Sequence, residues 1–186
     1  MPPNIVDVAI AAIPANLERS ADALPPAAQL AALGKVLCVH RPHGGGELAG
    51  WTQAITVEFR VGIDSDGCCE ALWFRDRAGQ CCWRLYMLPD SDFLAWERLR
   101  QRVPLIEPAR DCVAQRLWRR LSARMAGERW QCSVLRLHAL KTNGPTLLAA
   151  STAVASSLGI EVVRRVARME GFDGEIDLHA AGVSHG

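Results

Sequence analysis

The chain has 186 residues, 49% of them hydrophobic, enough to bury a core without help from disulfides or a structural metal. A net charge of +1 excludes a whole-protein electrostatic attraction to nucleic acid or to a membrane surface. Seven cysteines form an odd set without framework spacing, so the expectation is free, mostly buried thiols in a reducing compartment.

No apolar run reaches the ~18 to 20 residues that span a bilayer, and the first residues lack the basic start of a secretory signal, so a cytoplasmic protein is expected. Residues 1 to 32 are rich in Ala and Pro and read as a helical or irregular segment, with a short helix around Asn16 to Ala23 and a break at Pro25-Pro26. Residues 33 to 182 read as a single α+β domain, and 183 to 186 as a loose tail.

"LGKVLCVHR" (33 to 41) reads as a strand that ends at the glycines of "RPHGGG". In "QAITVEFRVGI" Ile55, Val57, Phe59, Val61 and Ile63 are apolar and alternate with Thr56, Glu58 and Arg60, the period-2 mark of a half-buried strand. A tight turn at Asp66-Gly67 places Val61 opposite Leu72 and Phe59 opposite Phe74. A second turn at "DRAG" (76 to 79) places Phe74 opposite Cys81 and Leu72 opposite Trp83. Adjacent strand residues point to opposite faces, so Cys68-Cys69 and Cys81-Cys82 each split across the sheet and act as packing residues rather than as a zinc site.

"PDSDFLAWERLRQRV" opens with Asp90 or Ser91 as N-cap and sets Phe93, Trp96, Leu99 and Val103 on one helical stripe, which predicts a helix over 91 to 103. Beyond Pro104 and Pro108, "ARDCVAQRLWRRLSARMAG" predicts a second helix ending at Gly127. Between Glu97 and Arg136 ten arginines face four acids, a locally basic region suited to a solvated helix face or to an anionic ligand. "RWQCSVLRLHALK" is read as a strand, "PTLLAASTAVASSLG" (145 to 159) as a small-residue helix closed by Gly159, and "IEVVRRVARM" fits both helical and strand periods.

No phosphate-binding glycine loop, nucleophile elbow, H-x-x-x-H pair or paired-carboxylate signature is present, so a conventional hydrolase or nucleotide enzyme is unsupported. His40 and His138 lie within strands as structural or surface residues, whereas His43 and His179 lie near element ends, where binding residues collect. The second face of the central hairpin gathers Cys69, Trp73 and Arg75 with Cys82, Arg84 and Tyr86. Such a face can hold a flat anionic ligand or pack beneath an amphipathic helix.

"ALWFRDRAGQCCWRLYMLPDSDFLAWERL" resembles the hairpin-plus-helix segment of the HemS/ChuX family of bacterial haem-utilisation proteins, through Phe74, Asp76, Gly79, Arg84, Tyr86, Ala95 and Trp96. "LGKVLCVHR" and "GEIDLHAAG" are similar to two of that family's strands, in the same order. The resemblance implies an antiparallel sheet flanked by helices and a role in haem delivery or breakdown, with Arg84 and Tyr86 binding the cofactor and His179 on the iron; His43, from its place beside the glycines, is a further candidate cofactor contact. The chain has room for little more than one of the family's two repeats. It has no histidine in "ARDCVAQRLWRRL", where the family's ligand lies, and it carries Trp83 where the family often has histidine. Cys112 is a conceivable thiolate substitute in that segment. Two rival readings follow: an interaction or scaffold protein that keeps the fold without haem, and a thiol-based redox sensor. Exposed sheet edges would permit a homodimer.

Overall fold

The structure, a computed structural model, describes residues 8–11, 24–41, 46–64, 67–106 and 130–170. Seven strands run in chain order: β1 (Val8–Ala11), β2 (Gly34–His40), β3 (Thr56–Asp64), β4 (Gly67–Arg75), β5 (Cys81–Ser91), β6 (Gln131–Leu140) and β7 (Leu147–Thr152). They form one sheet in the order β1-β7-β6-β2-β5-β4-β3, antiparallel at every strand pairing. Helices α1 (Ala27–Ala31), α2 (Ala49–Gln53) and α3 (Phe93–Arg100) supply the core on one face through Leu30, Trp51 and Trp96, and α4 (Ser157–Glu170) covers the other through Val163 and Val166. The fold is therefore α+β, an antiparallel sheet flanked by helices, as the sequence led us to expect.

The β3-β4-β5 meander has the expected faces but not the expected pairing. Phe59 lies opposite Leu72 rather than Phe74, Val61 opposite Glu70 rather than Leu72, and Phe74 opposite Trp83 rather than Cys81. Each ladder is shifted by two residues, which returns Phe59, Val61, Leu72, Phe74 and Trp83 to the same face, so the apolar alternation cannot distinguish the two registers. The result is a dense aromatic group on the α1–α3 face: Trp51, Phe74 and Trp83 pack with centroids 5.0 to 6.1 Å apart, and Trp83 Nε1 donates to Glu47 O at 2.7 Å.

A bulge corrects the cysteine assignment as well. Pairing passes from Phe74↔Trp83 to Arg75↔Cys81, leaving Cys82 without an opposite residue. Cys82 joins Trp83 in the α2-side core, its thiol donating to Gly50 O at 3.3 Å, while Cys81 accepts from Arg84 Nε at 3.2 Å. The pair still splits across the sheet, with the two faces exchanged.

Helix α3 starts two residues later than expected, at Phe93, because Ser91 remains in β5 and donates to Lys35 O at 2.5 Å, and Asp92 is the cap, accepting from Ala95 N at 2.9 Å. Trp96, Leu99 and Val103 are buried, but Phe93 is 57% exposed.

The stretch read as a helix over 145 to 159 is mainly strand β7. Its alanines bond to β6 on one side and β1 on the other, and ladders on both edges outweigh alanine's intrinsic helix preference. The ambiguous "IEVVRRVARM" is helical, and its start is set from far away. Asp90 accepts from Ser156 N and Oγ, and the Ser156 hydroxyl accepts from Gly159 N at 3.1 Å, as an N-cap does. Gly159 thus opens a helix instead of closing one, and a Cβ there would press on Ala155 Cβ at 3.0 Å and on the Asp90 carboxylate. The Asn16–Ala23 helix, the arginine-rich helix over 108 to 127 with Cys112, and everything after Glu170 lie outside the described residues.

Candidate functional site

Period-2 geometry sends Trp73 of β4, and Arg84 and Tyr86 of β5, to the face that α4 covers. Trp73 lies directly opposite Arg84, and Ala71 opposite Tyr86. The alanine leaves room above the sheet where the tyrosine ring packs, beside Leu37, Leu88 and Val166. Arg84 and Tyr86 converge on one group, the carboxylate of Glu170 at the end of α4. Arg84 Nη1 donates to Glu170 Oε2 at 2.5 Å and the Tyr86 hydroxyl donates to Glu170 Oε1.

The guanidinium of Arg84 is also held from above and below. Its central carbon lies 4.1 Å from the Trp73 ring centroid and 4.5 Å from that of Trp130. The stacking continues outward, with Arg60 4.2 Å from the far neighbour Trp73 and Arg41 5.0 Å from Trp130. Arginine and tryptophan thus alternate across the sheet as Arg60, Trp73, Arg84, Trp130, Arg41, a sequence of cation–π contacts that fixes side chains otherwise free to wander. Arg75 and Arg60 share Glu58 at 2.8 and 2.6 Å. Among the described residues, the guanidiniums of Arg60 and Arg75 pair with Glu58 and that of Arg84 with Glu170.

Electrostatics follow from this crowding. Burial opposes charge on Arg84, yet the Glu170 carboxylate beside it outweighs that and holds its pKa above the ordinary arginine value. Burial and the same carboxylate push the Tyr86 phenol well above its usual range, so it acts as a neutral donor. Burial raises the Glu58 carboxyl, but hydrogen bonds and charge from Arg75 and Arg60 win and hold it below the carboxylate norm. The nearby Cys132 thiol is pushed up to about 12, first by burial and then by Glu170. It is a packing group at neutral pH rather than a thiolate.

Of the residues singled out from the sequence, Arg84 and Tyr86 are brought together, and Trp73, Arg75 and Cys69 share their face. Cys82 does not, for the reason given above. His43 and His179 lie outside the described residues. His40 is buried on the opposite face with Nε2 3.3 Å from Ser133 Oγ, and His138 Nε2 is 2.9 Å from Ser151 Oγ, so both bond within the sheet. Among the described residues no group of three or more His, Cys, Asp or Glu side chains is arranged to hold a metal ion. Sequence reasoning missed Glu170, Trp130, Arg41 and Arg60. Only Arg60 had a signal, as a polar residue in the alternation of β3. Glu170 is 86 positions from Arg84, beyond any local pattern.

No family model matches the chain, and no curated protein does. Among solved structures, the chain is similar to holo-PhuS, a heme-binding protein from Pseudomonas aeruginosa, at 16% identity and a TM-score of 0.30. The match covers 95% of this chain and 52% of that one, so the chain spans about half the length of the structure it matches.

Proposed function

We propose that the chain binds haem, for delivery or breakdown, on the sheet face that carries Arg84 and Tyr86. The supporting observation is the alternating arginine and tryptophan stack around Arg84, which gathers guanidiniums on one sheet face. The two carboxylates of a tetrapyrrole complement guanidiniums in charge. Of the hairpin residues that resemble the HemS/ChuX family, Arg84 and Tyr86 fall on this face, whereas Phe74 packs on the opposite one. Arg84 and Tyr86 would meet the propionates. His179, nine residues beyond Glu170 and hence within ~30 Å of chain reach, would ligate the iron, with His43 as the other candidate contact. A homodimer would supply a second copy of the face in place of the second repeat.

A second reading is a scaffold that keeps the fold without a ligand. It is favoured by one observation: Glu170 already satisfies both Arg84 and Tyr86. Titration of the reduced protein with hemin, followed by visible absorption, separates the two. A saturable one-to-one Soret shift that is lost in His179→Ala supports haem binding with that ligand. A linear, unsaturable response in the unmodified protein leaves the scaffold as the better account.

A further inference from the structure

Glu170 makes the contacts that an incoming carboxylate would make. Its two oxygens are split between a guanidinium and a phenol, and each of these also has contacts that do not involve the acid: Arg84 stacks with Trp73 and Trp130, and Tyr86 packs in the sheet. A guanidinium covered on both faces has only its edge left for hydrogen bonding, and that edge meets Glu170. The acid itself is carried by α4. It keeps 18% of its side-chain surface exposed against 12% for Arg84, so solvent reaches the acid more readily than the cation beneath it.

We infer that Arg84 and Tyr86 form a carboxylate-binding seat, that Glu170 fills it from within, and that the ligand presents a carboxylate that displaces Glu170. This deepens the haem reading and rests on it only for the identity of the ligand. The carboxylate seat stands on the geometry alone. No bond is made or broken in the exchange: one carboxylate replaces another, and the charge on the seat is unchanged. A tethered competitor lowers apparent affinity by the fraction of time the seat is open, so removing it raises affinity by the same factor.

Two variants test this. In Glu170→Ala the seat is left empty, and propionate added at millimolar levels should raise the melting temperature by a few degrees, as any ligand specific to the folded state does. Propionamide and chloride at matched ionic strength should not, and the unmodified protein should not respond to propionate. Glu170→Gln keeps the shape and the fold if the alanine variant is too unstable to study. It should bind a metal-free porphyrin dicarboxylate about tenfold more tightly than the unmodified protein, read by porphyrin fluorescence, with no gain for the corresponding diester. Absence of propionate rescue in a folded Glu170→Ala, or an equal gain for acid and diester in Glu170→Gln, overturns the inference. Rescue by propionate together with no saturable hemin response retains the seat and removes haem as its ligand.

Discussion

His40 illustrates how a single residue sets a pH limit. Burial lowers its pKa from 6.5, only partly offset by Glu47 and by a hydrogen bond with the Arg41 backbone. A histidine kept neutral in the fold contributes stability that is complete above the unfolded pKa and is lost as pH falls through it toward the folded value. Thermal melts should therefore show a falling melting temperature from pH 6.5 downward, at up to about 1.4 kcal/mol per pH unit. In His40→Gln that slope should vanish, while the separate loss at more acid pH that follows from the lowered Glu58 pKa remains. At the same scale Gly50 marks a close approach: a Cβ there would stand 2.7 Å from Trp83 Cβ and closer still to the Cys82 carbonyl. Gly50→Ala should cost about 3 kcal/mol in urea denaturation, because the obstacle is backbone and cannot rotate away.

Among the elements, α3 was legible because its signals are local. An aspartate three residues before Ala95 and the apolar spacing of Trp96, Leu99 and Val103 lie within one short window. Asp92→Ala should destabilise the fold by about 1 kcal/mol through the lost bond to Ala95 N, measured by the same denaturation. Asp90→Ala should act on a different helix, since Asp90 caps α4 through Ser156 from 66 positions away. No reading of residues 145 to 170 contains that partner, so the start of α4 is not legible from its own segment. The hairpins show the intermediate case. Alternation gave the faces of β3, β4 and β5 correctly, but it tolerates a two-residue slip, and the bulge at Cys82 inverted one cysteine pair.

For the whole molecule, the sheet divides the cysteines into accessible and inaccessible groups. Cys38, Cys69, Cys82 and Cys132 are buried, Cys81 is half-buried against Arg84, and Cys68 is exposed; all six described thiols are free. Burial raises the Cys82 pKa to about 12, which suppresses the reactive thiolate as well as blocking access. Thiol titration of the native protein should give prompt reaction at Cys68, so that Cys68→Ser removes one fast equivalent, and the four buried thiols should react only on unfolding. Fast reaction of those four would revive the redox-sensor reading. No described helix is long and apolar enough to cross a membrane.

The sequence by itself determined the α+β class, the faces of the central meander, the residues that line them and the helix that follows, since each depends on neighbours within a few positions along the chain. Tertiary structure alone decided that an alanine-rich segment would be a strand, where α4 would begin, and that Glu170 would settle on Arg84 and Tyr86. In each of these the deciding partner is remote in sequence, a strand on either side, an aspartate across the sheet or a cation 86 residues back, and only the packed chain brings it within bonding distance.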